Sequence, residues 1–191
     1  MPDNSKTDEE IAAGVKRGDT ESFSLLVERY EAKITRYGRK FISDAEDIKD
    51  LVQDIFIKAY VNIQSFDADR KFSPWIYQIA HNEFINLLKK KIKSPIIFFG
   101  FDIIFPHPAA PENPIDELEK KNLKPILDKC LTELRPKYRE VLVLYFFEDL
   151  SYKEISEILK IPSATVGVRL RRGKIQLKKI FEKTRQYESK N

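Results

Sequence analysis

The 191-residue chain is expected to be all-α: two small helical domains joined by a Pro-rich linker. Apolar residues recur at helical spacing in both halves, and no stretch shows the sustained apolar/polar alternation of a strand. Five of the ten prolines crowd between positions 95 and 114, where they break helix and sheet alike. The expected divisions are therefore 1–93, a linker at 94–114, and 115–191. The length suits one domain or two small ones.

The first helical pattern is Phe23, Leu26, Val27, Tyr30, Ile34, Tyr37 and Phe41. The second is Ile48, Leu51, Val52, Ile55, Phe56, Ala59 and Tyr60. After the loop SFDADRKFSP comes a third, through Trp75, Ile76, Ile79, Ala80, Ile85 and Leu88. Ser73 suits its cap and Pro74 its first turn. Beyond the linker, Ile115 to Leu134 reads as a helix interrupted near Pro125, and Arg135 to Phe147 as another. The linker itself is oddly apolar. Phe98, Phe99, Phe101 and Phe105 gain nothing from exposure, so a groove is expected to hold them.

Composition narrows the function. Six glycines argue against a nucleotide-cradling architecture. One cysteine, Cys130, excludes an internal disulfide, and two distant histidines, His81 and His107, make a zinc centre improbable. No cofactor is expected. MPDNSKTDEE does not resemble a secretory signal. The longest apolar run, IIFFGFDIIF, has ten residues where a membrane span needs about 20. The expected location is the cytoplasm, without membrane insertion.

Charge is distributed unevenly. Residues 1–95 carry 16 basic and 16 acidic side chains, whereas residues 151–191 carry 11 and 4. A neutral front and a basic tail suggest that the second module faces a polyanion. That tail has the layout of a helix-turn-helix. Ser151 and Glu154 form a capping box, Ile155, Ile158 and Leu159 a buried face, and Lys160-Ile161-Pro162 a turn. Ser163 can cap a second helix that buries Val166, Leu170, Gly173 and Leu177. Its other side carries Val168, Arg171, Arg172, Ile175, Lys178 and Lys179. Such a helix can enter a major groove, arginines toward guanine and lysines toward phosphate. A plain basic amphipathic helix is the competing reading.

Leu131 to Leu177, LTELRPKYREVLVLYFFEDLSYKEISEILKIPSATVGVRLRRGKIQL, resembles the σ4 domain of extracytoplasmic-function (ECF) sigma factors of bacterial RNA polymerase. DAEDIKDLVQDIFIKAY (Asp44 to Tyr60) and SFDADRKFSPWIYQIAHNEFIN (Ser65 to Asn86) resemble their σ2 domain. The resemblance covers about 20–93 and 115–185, in the family's order. It implies a non-enzymatic subunit that binds core RNA polymerase and directs promoter-specific initiation. It also implies partners: a duplex −35 element for σ4, a single-stranded −10 element for σ2, and often an anti-sigma factor.

Carried over to this chain, the resemblance implies that Asp47, Asp50, Gln53 and Asp54 dock on core polymerase. Carboxylates suit a basic counterpart and fix register. Without the motif they read as a solvated helix face. It implies −10 contacts from Phe66, Asp67, Asp69 and Arg70 in the loop and from Gln78, Asn82, Asn86, Lys89 and Lys90 on the helix. Opening a base step costs a few kcal/mol, and stacking a base on an aromatic ring returns ~1–3 kcal/mol. Phe66 reads equally as a stacking ring and as a core ring, Trp75 as core, and His81 as a surface or wedge residue. The −35 set is Ser163, Thr165, Val168, Arg171, Arg172, Lys178 and Lys179. Gly167 and Val168 depart from the family, whose members often place basic or hydroxyl residues there, and this shifts the readout toward the arginines. A stand-alone helix-turn-helix regulator binding duplex DNA is the alternative function.

Overall fold

The computed structural model describes residues 6–42, 44–91 and 120–188, and every regular element among them is helical. The linker with its four phenylalanines lies outside the described residues. None of the described helices is long and apolar enough to cross a membrane.

Helix α1 (Asp8–Lys16) opens on a capping box. Thr7 Oγ1 accepts from the Glu10 amide at 3.2 Å, and Glu10 accepts from the Thr7 amide at 2.8 Å. It buries Ile11, Ala12 and Val15. Helices α2 (Phe23–Gly38), α3 (Ala45–Val61) and α4 (Phe72–Lys91) complete the first bundle. Asp44 caps α3 by accepting from the amides of Glu46 and Asp47. Gly38 is required where α2 crosses α4, because a Cβ there would stand 2.7 Å from the buried Phe84 ring. The expected stripes supply the core, with two exceptions. Ile85 is only half-buried while its neighbour Phe84 fills the core, and Tyr60 is exposed at the rim, edge-on to Phe23.

Helix α4 begins at Phe72, ahead of the expected Ser73 cap. The Phe72 amide donates to Glu9 Oε1 of α1 at 2.9 Å, so a partner from another helix serves as the cap. Helix α5 (Lys120–Thr132) runs through Pro125 rather than breaking there. It joins α6 (Pro136–Phe146), α7 (Tyr152–Leu159) and α8 (Ser163–Glu188) in the second bundle. Gly173 lets α8 approach α6, since a Cβ would meet Leu142 Cδ1 at 3.1 Å and Tyr138 Cβ at 3.3 Å.

The two bundles are in contact. Helix α7 lies along α4, α2 faces α6 and the α6–α7 loop, and Lys40, just past the end of α2, pairs with Asp128 of α5.

Candidate nucleic-acid and polymerase interface

The helix-turn-helix is built as its local chemistry requires. Ser151 and Glu154 exchange the two capping bonds, at 3.3 and 2.7 Å. Lys160 ends α7 in the left-handed region at φ 52°. Ser156 closes the turn by donating from its hydroxyl to the Ile161 carbonyl at 2.6 Å. Helix α8 starts at Ser163 itself, and the Pro162 carbonyl accepts from the Thr165 and Val166 amides. Ser163 is thus the first helical residue, where the sequence suggested the cap.

Val166, Leu170 and Gly173 face the core, and Leu177 is half-buried beside them. Val168, Arg171, Arg172, Ile175, Lys178 and Lys179 are all exposed, Ser163 is exposed at the N-terminal end, and Thr165 is half-buried. Lys178 pairs loosely with Glu182 one turn on, at 3.8 Å. The expected −35 residues therefore lie on solvent-facing parts of α8, open to a polyanion. Lys174 sits 4.8 Å over the Phe146 ring at the edge of this surface.

On α3, Asp50, Gln53 and Asp54 are exposed, and Asp47 is half-buried near the cap. Ile57 and Val61 continue the same side one and two turns further and are 61% and 71% exposed. Neither was singled out from the sequence. Their offset from Asp50 and Asp54, by seven residues in each case, would have found them. Among the described residues, no group of three or more His, Cys, Asp or Glu side chains is placed to hold a metal.

The expected −10 surface is divided. Asp67, Asp69, Arg70, Asn82, Asn86 and Lys90 are exposed, while Lys89 is described only in its backbone. Asp67 Oδ1 accepts from the Asp69 amide at 3.1 Å and shapes the loop. Helix α7 engages several cationic and amide groups. Arg70 pairs with Glu157 at 2.8 Å, Lys71 with Glu154 at 3.0 Å, and Gln78 donates to the Glu157 carbonyl at 3.2 Å.

Two expectations are corrected. Phe66 is 1% exposed, edge-on to Phe72 and tilted against Trp75, so its ring is core and offers no face to a base here. Trp75 is the more exposed of the two. His81 is a buried interface residue, neither a surface residue nor a wedge, with Nδ1 2.6 Å from Glu140 Oε1.

Burial raises the Glu154 carboxyl, but the Ser151 hydroxyl and amide and the Lys71 ammonium outweigh it and hold the group below its ordinary 4.5. A lowered carboxylate stabilises the fold above its unfolded value, and that contribution fades as pH falls through the folded value. The difference in urea midpoint between the natural chain and Glu154→Gln is expected to be full at pH 7 and to close below pH 4.5. A pH-independent difference would remove the charge contribution.

Comparison with known proteins decides the family. Residues 26–93 match the model described as Sigma-70 region 2, and residues 125–177 match Sigma-70, region 4. The ECF RNA polymerase sigma factor SigW of Bacillus subtilis is 36% identical over 176 residues, 86% of this chain and 91% of that protein. The chain belongs to the ECF sigma factors. The ECF RNA polymerase sigma-E factor of Haemophilus influenzae is 32% identical, over 88% of this chain and 92% of its own. Two solved structures share the fold. CnrH, in complex with the cytosolic domain of CnrY, has a TM-score of 0.70 at 23% identity, covering 93% of this chain and 98% of that one. RpoE of Bartonella quintana, in complex with the anti-sigma factor NepR, has a TM-score of 0.67 at 19% identity, with 85% and 98% covered. As an ECF sigma factor the chain directs transcription initiation and has no reaction of its own.

Proposed function

We propose that this ECF sigma factor works in the cytoplasm, docks on core RNA polymerase through α3, reads duplex −35 DNA through α8, and holds unpaired −10 bases with the Asp67–Arg70 loop and α4. One observation supports the division of labour above the others. The exposed arginine face of α8 and the exposed Asn82–Asn86–Lys90 stripe of α4 lie on separate bundles. An arginine face suits an intact groove, where base edges accept bidentate donors. Amides followed by lysine suit base edges first and phosphates after them. The loop contributes the polar Asp67, Asp69 and Arg70. Phe66 serves it from beneath, as the hydrophobic anchor.

Asp47, Asp50, Gln53 and Asp54 supply a negative docking face for a basic counterpart, and Ile57 and Val61 add apolar area at its end. An anti-sigma partner is part of the proposal. The NepR complex of RpoE shows such a partner on a protein of this fold.

Run-off transcription with reconstituted holoenzyme tests the reading, with a fluorescent-base reporter at the opened step. Asn82→Ala is expected to lower open-complex formation about tenfold, one hydrogen-bonded contact of about 1–1.5 kcal/mol, with little change in duplex binding. Arg172→Ala is expected to cost about 1–3 kcal/mol in upstream recognition and to relax promoter preference. Duplex binding with no core-dependent initiation would instead identify a stand-alone helix-turn-helix regulator.

A further inference from the structure

We infer that this sigma factor identifies thymine in its −35 element by the C5-methyl group, through an apolar face that Ala164 and Val168 present at the N-terminal end of α8. The inference rests on the proposed function, which sets α8 on duplex −35 DNA, and names the chemical feature recognised there.

An apolar side chain gains nothing from water, yet Val168 is 49% exposed on the outer side of α8. Ala164, one turn earlier on the same side, is exposed as well. Beside Val168, position 167 has no side chain. A Cβ there would stand 3.4 Å from Tyr152 Cε2 and 3.9 Å from Cδ2, so the Tyr152 ring of α7 lies against the Gly167 backbone. Tyr152 is itself exposed and edge-on to Tyr145 at 5.4 Å. The neighbouring Arg169 is half-buried and lies about a quarter turn round the helix from Val168. Exposed cations begin only at Arg171 and Arg172, one turn further on. On the first two turns of α8 the outer side therefore carries methyl groups and no charge, with half-buried Thr165 as the polar neighbour.

A recognition helix meets base edges with its N-terminal residues. In the major groove, thymine alone of the four bases presents a methyl group, at C5. Alanine and valine side chains neither donate nor accept hydrogen bonds, so a polar base edge loses water against them and gains nothing in return. Methyl on methyl is the contact that suits both surfaces. Arginine supplies the complementary readout, bidentate to guanine O6 and N7. Spacing along the helix axis links the two. Val168 to Arg172 is four residues, about 6 Å of rise, close to two base steps of ~3.4 Å. The −35 element chosen by this chain is therefore expected to hold a thymine about two base pairs from a guanine.

The test uses holoenzyme reconstituted with the full chain. It first selects promoters from a library randomised across the −35 element, and each thymine of the selected element is then replaced in turn by deoxyuridine. Uracil lacks only the methyl group, so every hydrogen-bonding atom stays in place. At one thymine or more, holoenzyme with the natural chain is expected to lose about fourfold in affinity, the worth of one buried methyl. Val168→Ala is expected to bind the thymine promoter about as weakly as the natural chain binds the uracil one, and to lose less than about twofold more on uracil. Alanine is the better helix former, so the variant should keep its fold. A selected element that lacks thymine, or that shows no uracil effect at any thymine, would overturn the methyl reading. So would Val168→Ala holoenzyme that keeps the full uracil effect at every one of them. These results leave the proposed function standing. A holoenzyme that enriches no sequence from the library would overturn the proposed function itself, and the methyl reading with it.

Discussion

Replacing Phe66 by alanine is expected to destabilise the first bundle by about 3–5 kcal/mol, the usual cost of truncating a buried aromatic residue. The ring is 1% exposed and meets Phe72 and Trp75 at centroid distances of 5.4 Å each. Each such aromatic pair adds about 0.5–1.5 kcal/mol to simple burial. The site has little room to collapse, because the Phe72 ring that it meets is itself fully buried. The backbone at this point is also tied down, since Lys16 Nζ donates to the Phe66 carbonyl at 2.6 Å. Urea unfolding of the full chain, followed through the single Trp75, measures the loss where it occurs. Asp69→Ala, an exposed change in the same loop, is the control and should stay within about 0.5 kcal/mol. A Phe66→Ala protein as stable as the control but selectively unable to open DNA would return the ring to a base-stacking role.

The Phe66 correction shows where sequence reading stops. Periodicity and capping depend on neighbours within a few residues, and there the sequence was sufficient. The Ser151–Glu154 box and the buried face of α8 stand as read. Helix α1 carries equally local signals. Its Thr7–Glu10 box and its buried Ile11, Ala12 and Val15 carry the same signature as α7. What lies on a helix face is a different matter from what covers it. Gln78 belongs to the polar stripe of α4, as its spacing required, but the end nearest Gln78 is covered by α7, 79 residues away. His81 and Glu140 are 59 positions apart, so no local pattern could pair them. Arg139 and Glu140 are charged residues of α6, yet both are buried. Arg139 donates to the carbonyls of Lys40, Thr132 and Leu134, and burial pulls its guanidinium down to about 10. It stays charged at neutral pH because those carbonyls replace water. The start of α4 follows the same logic, since its amide partner Glu9 comes from α1.

Asp50→Arg is expected to weaken core-polymerase binding by roughly 100-fold, about 3 kcal/mol, because it sets a cation against the basic counterpart proposed for the α3 face. Folding should not suffer. Asp50 is exposed in the middle of α3, and an arginine there gains Glu46 and Asp54 one turn away on either side, a slightly favourable exchange in the isolated helix. Unfolding midpoints equal to the natural chain's would therefore separate lost binding from lost structure. Salt provides the second check. Screening over about 10 Å at 0.1 M weakens attraction and repulsion alike, so the gap between natural and variant chains should narrow as ionic strength rises. Ile57→Ser, at the exposed apolar end of the face, should weaken binding with little salt dependence, because it removes area rather than charge. If a quantitative pull-down finds Asp50→Arg bound as tightly as the natural chain at low salt, the carboxylates of α3 are a solvated helix face, and core polymerase must be held elsewhere.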